Sequence, residues 1–161
     1  MSKPFAIAFG VAAIIIIAVI WTGFKKTAGN HLVPAGSIGK VRTIGTSDDT
    51  TLMVIDFNLK NDSDRNMVVR SITGTVTTAD GAALVGDLVA AADLGIVFNQ
   101  YPLLGQRYNP VLKVRDVIAP HQMVDRMVAI NLHGPSAKMD GRKKVTLEIE
   151  DITGPTAELT K

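Results

Sequence analysis

The 161-residue chain contains no cysteine. This absence excludes disulfide bonds, cysteine-ligated zinc, iron–sulfur clusters and thiol nucleophiles. The local sequence motifs of many enzymes are also missing, because no nucleophile elbow, phosphate-binding glycine loop or HExxH pattern occurs. The sequence therefore predicts no catalytic motif and no cofactor.

The chain also lacks a large excess of positive charge. Its formal net charge is +2, from 17 Lys and Arg against 15 Asp and Glu. Lys3, Lys25 and Lys26 flank the N-terminal segment, and residues 27–161 hold the remaining 14 basic residues against 15 acidic ones, a net charge of −1. Nucleic-acid binding needs clustered Lys and Arg that displace counterions from phosphates. A nucleic-acid partner is therefore not expected.

One long apolar run is present. Residues 4–24 carry no charge, and Ala13–Ile20 reads AIIIIAVI. About 20 helical residues rise roughly 30 Å, the thickness of the hydrocarbon core, and a helix satisfies its own backbone groups in lipid. The run predicts one transmembrane helix at 4–24, after a tail at 1–3. The alternative is a signal peptide cleaved near Thr27–Gly29, although the run exceeds the roughly 7–15 apolar residues usual for such peptides.

The ends of the predicted span carry residues suited to the membrane interface, where aromatic rings settle and lysines extend toward the headgroups. The anchor and interface residues are Phe5, Trp21, Phe24, Lys25 and Lys26. Basic groups lie on both sides of the span, so the positive-inside count nearly ties. The very short leading tail favours a soluble domain outside the cytoplasm, in a periplasmic or extracellular location.

Strand patterns dominate the rest of the chain. Residues 25–37 predict a linker, 38–154 a β-sandwich domain and 155–161 a polar C-terminal tail. The predicted strands are Lys40–Ile44, Thr51–Leu59, Met67–Thr78, Val111–Ile118, Met123–Leu132 and Lys144–Ile152. Residues 86–108 read as a helical or irregular insertion, whose part at about 86–100 is either a helix or an irregular excursion. Six to seven strands with turns between them indicate a mainly β protein, an antiparallel immunoglobulin-like β-sandwich.

The segment NDSDRN, Asn61–Asn66, superficially matches the start of a calcium loop. An EF-hand would need a Gly next and a Glu at the twelfth position between helices, whereas strands flank this segment. Asn, Asp and Ser also bond their own backbone amides in turns. We therefore favour a plain hairpin loop over a metal site.

An aromatic loop follows the predicted insertion. The stretch NQYPLLGQRYNP, residues 99–110, contains both tyrosines of the chain. Tyr and Arg are enriched at the energetic centres of protein interfaces. The candidate binding surface consists of Tyr101, Leu103, Leu104, Arg107 and Tyr108. The alternative is that these side chains cover one open end of the sandwich.

Three segments, VIDFNLKNDSD, ITGTVTTADG and VIAPHQMVD, together resemble the LEA-2/WHy-like class of immunoglobulin-like domains. The resemblance covers roughly residues 38–153, with 86–108 as an insertion relative to that class. It implies a sandwich without catalytic residues. It also implies a protective role in desiccation or osmotic stress.

These observations favour a single-pass membrane protein whose β-sandwich has a non-catalytic binding or structural role. Its expected partners are the lipid bilayer and either another protein or a second copy of the chain. A role as accessory component of a membrane-associated assembly fits this description. One alternative is LEA-type stress protection. The other is a hydrolase with a dispersed site built from His121, His133 and nearby carboxylates.

Overall fold

A computed structural model describes residues 33–161. The predicted span at 4–24 and its flanking residues Phe5, Trp21, Phe24, Lys25 and Lys26 lie outside the described residues. From residue 33 onward, none of the helices is both long and apolar enough to cross a membrane.

Strands make up most of the described chain. They are β1 (Ala35–Ser47), β2 (Thr50–Lys60), β3 (Met67–Thr77), β4 (Ala83–Leu88), β5 (Val117–Ile118), β6 (Met123–His133), β7 (Lys144–Asp151) and β8 (Thr156–Thr160). Two short α-helices, α1 (Leu94–Gln100) and α2 (Ser136–Asp140), and a 3₁₀ turn at Pro102–Leu104 complete the described elements.

The strands form one antiparallel sheet in the order β1-β2-β6-β4-β3-β7-β8, with β5 paired to β3. Strand β4 pairs with β3 through residues 83–86 and with β6 through Asp87 and Leu88. A strand shared in this way makes a corner, so the sheet folds over into two layers, β1-β2-β6 and β3-β7-β8. The two edge strands, β1 and β8, come close to each other. A Cβ placed on Gly36 of β1 would lie only 2.9 Å from Leu159 Cδ2 of β8. The mainly β, antiparallel, sandwich-like prediction is confirmed, with both layers belonging to one curled sheet.

The main core fills the space between the layers. On β2 it takes Met53, Ile55, Phe57 and Leu59, the set that period-2 alternation assigns to the core face. Side chains of β6 lie beside them in the same layer, and side chains of β3, β7 and β8 face them from the other layer. Each such side chain contributes roughly 1.5–3 kcal/mol by leaving water, so this alternation defines the register of the sheet.

A second apolar cluster lies on the outer face of β2 and β6. Leu52 and Val54 pack there beneath Leu94 of α1 and Leu104 of the 3₁₀ turn. The predicted insertion at 86–108 is therefore a cover over this face, and its helix occupies only Leu94–Gln100. Because β2 is buried on both faces, its sequence TLMVIDFNL is nearly continuous in apolar residues.

The predicted strand at Val111–Ile118 is wrong except at its ends. Val111 makes a single bridge to Met127, and only Val117–Ile118 pairs as β5. Between them, Asp116 Oδ2 accepts a hydrogen bond from the Lys113 amide at 2.9 Å, and Arg115 adopts a φ of 72°. A left-handed residue ends extended geometry, so alternation of residue types does not produce a strand here.

Three predicted boundaries also change. Strand β1 begins at Ala35, inside the predicted linker at 25–37, and residues 86–88 complete β4 rather than a helix. The predicted polar tail at 155–161 contains strand β8, whose Ala157 and Leu159 are buried. The stretch TAELT alternates correctly for a strand, but it is short and has only two apolar residues to mark its buried face.

The loop at 61–66 does not close a hairpin, because β2 and β3 are not paired with each other and the loop passes from one layer to the other. Its centre is the buried Asn61, whose Nδ2 lies 3.1 Å from the carbonyl oxygens of Ile118 and Ala119. Its Oδ1 accepts hydrogen bonds from the amide and hydroxyl of Ser63. The amide side chain thus joins the loop to the segment that follows β5.

The two aspartates of this loop point to different partners. Asp62 pairs with Lys60 at 2.5 Å, and Asp64 Oδ1 lies 2.9 Å from His121 Nε2. Within residues 33–161, no group of three or more His, Asp or Glu side chains is arranged to hold a metal ion. The loop geometry is that of a connection held by Asn61.

Replacing Asn61 with Ala should lower the free energy of unfolding by about 2–3 kcal/mol, because buried carbonyl groups lose their donor. Urea unfolding measures this change. Asn66→Ala is the matched control, since Asn66 lies in the same loop and is exposed. Equal stability of the two variants would show that Asn61 does not hold the loop.

The turn after β3 lowers the pKa of Asp80 below its ordinary value. The main cause is the hydrogen bond donated by the Thr78 hydroxyl, followed by the bond from the Ala82 amide. A carboxylate with a lowered folded pKa contributes stability that is complete above the unfolded pKa and is lost as pH falls through the folded pKa.

Thr78→Val should therefore raise the pKa of Asp80 toward its ordinary value and reduce the acid-dependent part of the stability. An NMR titration of the Asp80 carboxyl measures the shift directly. Thr77→Val serves as the control, because Thr77 lies on β3 beside the turn and makes no hydrogen bond to Asp80. An unchanged Asp80 titration in Thr78→Val would contradict this assignment.

Candidate functional site

The outer face of β2 changes character along the strand. Directly opposed residues of antiparallel strands share a face, and Lys40 opposes Asp56 while Asn58 opposes Asp125. These four polar residues continue the face on which Leu52 and Val54 are covered by the insertion. One strand face is thus buried at one end and polar at the other.

A cleft of about 410 Å³ opens over the polar part of this face, and we call it the β2 cleft. The strands contribute Gly39, Lys40, Asp56, Phe57, Asn58 and Asp125, and the loop after the 3₁₀ turn contributes Tyr108 and Asn109. The volume lies in the range of small-ligand and side-chain pockets. The charged and amide side chains in its lining distinguish this cleft from the adjacent apolar cover.

Asp56 is the most buried carboxylate in the cleft lining, with 5% of its surface exposed. Its Oδ2 accepts a hydrogen bond from Arg42 Nη2 at 2.7 Å, and the two side chains are 8% and 9% exposed. Its Oδ1 accepts a second hydrogen bond from Asn109 Nδ2 at 3.0 Å. Both oxygens therefore have donors, as a buried carboxylate requires.

Arg42 extends this network to the loop that borders the cleft. Its Nη1 donates to the carbonyl oxygens of Leu104 at 2.6 Å and Gln106 at 2.8 Å. Its guanidinium carbon lies 5.5 Å from the Phe98 ring centre and 5.1 Å from the Tyr108 ring centre, within the range of cation–π attraction. A single arginine on β1 thus fixes the course of the loop over β2.

The structure divides the five residues of the predicted binding surface. Leu104 is buried and Tyr101 half-buried, and both pack into the cover over β2 and β6. Leu103 is 91% exposed and Tyr108 57% exposed, and Arg107 is exposed as well. The covered region is the outer face of two strands, not an open end of the sandwich. Leu103, Arg107 and Tyr108 therefore remain as the surface of the loop.

Sequence reasoning missed the strand residues of the cleft. These are Lys40, Asp56, Asn58 and Asp125, and sequence reasoning also missed Asn109 of the loop and Arg42, which bonds Asp56. A signal was present at Asp56, because a carboxylate inside an otherwise apolar strand must find a partner. The partner itself could not be read from the sequence, because it depends on the pairing of β1 with β2.

The two candidate histidines lie at opposite ends of β6. His121 precedes the strand and His133 is its last residue, so the length of β6, about 33 Å at ~3.3 Å per residue, lies between them. Each is exposed beside its own aspartate, at 2.9 Å from Asp64 and 3.5 Å from Asp87. The hypothesis of a hydrolase site shared by the two histidines is therefore wrong.

No protein-family model matches the chain, and no curated protein matches its sequence. The resemblance to the LEA-2/WHy-like class is accordingly not confirmed. The β-sandwich character of that expectation is confirmed.

Three solved structures are similar to the chain at low identity. One is a β-glucuronidase of glycoside hydrolase family 2, with 11% identity and a TM-score of 0.44 over 75% of this chain. The chain spans only 10% of the length of that enzyme. Another is the archaellum periplasmic stator protein complex FlaF and FlaG from Sulfolobus acidocaldarius, with 14% identity, a TM-score of 0.39, and coverage of 81% of this chain and 90% of that one.

The third is an uncharacterized β-sandwich protein from Clostridium difficile 630, with 11% identity and a TM-score of 0.40. The similarity covers 81% of this chain and 86% of that one. All three TM-scores lie below 0.5, so no function is transferred from any of these proteins.

Arg42→Met should destabilise the domain by about 3 kcal/mol, because the buried Asp56 carboxylate loses its charged partner. The loop should also loosen, so trypsin should cleave after the exposed Arg107 faster than in the unchanged chain. Urea unfolding and timed proteolysis measure the two effects. Lys40→Met is the matched control, since Lys40 lies on the same strand face but is exposed. If both variants behaved alike, the network would not hold the loop.

Proposed function

We propose that this chain is a membrane-anchored β-sandwich module with a non-catalytic role, which binds a protein partner through the β2 cleft and the adjoining loop. The loop surface consists of Leu103, Arg107 and Tyr108. The partner is another protein of a membrane-associated assembly or a second copy of this chain.

The proposal depends chiefly on Tyr108, whose ring is exposed to solvent but held in place by neighbouring cations. Arg42 bonds two carbonyl groups of the loop and is itself held by the buried Asp56. Lys40 adds a second cation 4.9 Å from the Tyr108 ring centre. An aromatic side chain held in place on a strand scaffold loses little conformational entropy on binding, which favours an interface.

The cleft chemistry supports binding rather than catalysis. Asp56 is committed to Arg42 and Asn109, and the remaining carboxylate of the lining is Asp125. No His or Ser side chain is among the described residues that line the cleft. General acid–base work needs a second ionisable group beside the reacting atoms, and the lining's other two, Lys40 and Tyr108, are engaged with each other at 4.9 Å.

The anchor rests on the sequence of residues 4–24, which carry no charge over a length that spans a bilayer. We propose an extracytoplasmic location for the β-sandwich domain. Carbonate washing of membranes that contain the full chain tests the anchor, and protease added to intact cells tests the side. Release by carbonate would remove the membrane part of the proposal.

LEA-type protection is the second candidate, and it rests on the sequence resemblance alone. The two candidates differ in their dependence on Tyr108. Protection of other proteins during drying does not need one aromatic side chain, whereas partner binding does.

Tyr108→Ala in the full chain should abolish partner capture. A photo-crosslinking residue at Leu103 allows capture in the membranes of the source cell, followed by mass spectrometry of the linked peptides. Val85→Ala is the matched control, because Val85 is 63% exposed and lies on β4, opposite Thr75 of β3. The binding proposal requires loss in the first variant and retention in the second.

Failure to obtain any crosslinked peptide from Leu103, with the chain present in the membrane, would count against the binding role. Unchanged desiccation survival after deletion of the chain would count against the protective role. The two results are independent of each other.

A further inference from the structure

The topology collects four chain segments at one end of the sandwich, which we call the entry end. They are the start of β1 at Val33–Ala35, the loop at 61–66, the turn at 119–122 and the turn at 152–155. The register places them there, because Ala35 opposes Lys60, Lys60 opposes Met123, Met67 opposes Ile118 and Val69 opposes Asp151. Hydrogen bonds from Asn61 to the segment after β5 join two of these segments directly.

Exposed large apolar side chains mark the entry end. Val33, Val117, Met123 and Ile152 are each between 57% and 62% exposed. Val117 opposes Val68 of β3, and the Ile152 amide donates to the Val68 carbonyl at 2.9 Å. Strands β5 and β7 thus flank β3, and Val117 and the residue after β7, Ile152, both lie at this end of the second layer. Single exposed apolar residues are ordinary, but their concentration at one end is informative.

The opposite end of the sandwich differs in composition. Its connections are the turn at 48–49, the turn at 78–82 and the segment at 134–143. In these described segments no large apolar residue is among the exposed ones, and their charged side chains include Asp48, Asp49, Lys138 and Asp140. The entry end therefore exposes large apolar side chains, whereas the described segments of the opposite end expose none and carry charged ones.

The short sequence between the predicted membrane span and Val33 indicates that the bilayer is what contacts the entry end. Residues 25–32, KKTAGNHL, are all that separate the predicted span from Val33. Eight residues cannot span more than roughly 28 Å in any conformation. A tether of that length keeps the entry end at high local concentration beside the bilayer, so even weak apolar contacts are occupied.

We infer that the entry end lies on the bilayer surface, with Val117, Met123 and Ile152 inserted among the lipid headgroups. This inference rests on the membrane anchor of the proposed function. Charge at the end is balanced, since Lys60 and Arg65 match Asp62 and Asp64 in the loop and the residue before it. The contact is therefore apolar in origin and does not require anionic lipid.

The absence of cysteine allows a direct test in the full chain. Single-cysteine variants Val117→Cys and Ile152→Cys place an environment-sensitive fluorophore at the entry end, and Asp49→Cys and Asp140→Cys place it at the opposite end. All four positions are exposed, so the label leaves the core intact. The chains are reconstituted into phosphatidylcholine vesicles, with and without brominated acyl chains.

Labels at residues 117 and 152 should show blue-shifted emission and loss of intensity in brominated lipid, whereas labels at 49 and 140 should show neither. Replacing part of the lipid with phosphatidylglycerol should leave the difference unchanged. A second measurement uses Val117→Asp with Ile152→Asp, which should abolish the quenching of a label at Met123→Cys.

The outcomes separate the two proposals. Chains that resist carbonate but show equal quenching at both ends would overturn the docked entry end and leave the anchor intact. Blue-shifted emission at residues 117 and 152 without bromine quenching would show that protein, not lipid, covers this end, and would also overturn the inference. Chains that carbonate removes from the vesicles would overturn the anchor and the docked end together.

Discussion

The buried carboxylate of Asp56 is the constraint on which the arrangement of the site depends. A carboxylate this far from water is tolerated only when each oxygen has a donor. Arg42 and Asn109 supply those donors from β1 and from the loop after the 3₁₀ turn. Because Arg42 also bonds the carbonyl groups of Leu104 and Gln106, satisfying one acid fixes the position of the whole loop. The main effect of the Asp56–Arg42 ion pair is therefore to specify the loop conformation, rather than to add net stability.

The same strand explains why the cover and the cleft are neighbours. The inner face of β2 belongs to the main core, and its outer face is apolar as far as Val54. Apolar surface of that extent must be removed from water, and α1 with the 3₁₀ turn covers it. Past Val54 the face becomes polar, so the cover ends there and the β2 cleft begins. The outer-face residues of β2 are Leu52, Val54, Asp56 and Asn58. The change from apolar to polar residues in this set therefore determines where the cover ends and the β2 cleft begins.

The sequence predicted what depends on local pattern. Alternation on β2 assigned Met53, Ile55, Phe57 and Leu59 to the core, and turn-forming residues located the loop at 61–66. Strand pairing, and the side-chain contacts that depend on it, could not be predicted from the sequence. The role of Asp56 depends on its register with β1, and β8 carries too few apolar residues to be recognised. The strand predicted at Val111–Ile118 was wrong because Arg115 adopts a left-handed backbone conformation, which the alternation of residue types does not predict.

The loop and the entry end are connected through the direction of β2 and β6. Asn58 and Asp125 lie two residues from Lys60 and Met123, so the polar part of the cleft opens beside the entry end rather than at the middle of the sheet. With the entry end on the bilayer, a partner of the cleft would approach along the membrane surface. The partner would then be confined to two dimensions as well, and a modest contact area would suffice because confinement raises its effective concentration. A small cleft that combines charged and amide groups with one exposed tyrosine matches that requirement better than it matches capture of a partner from solution.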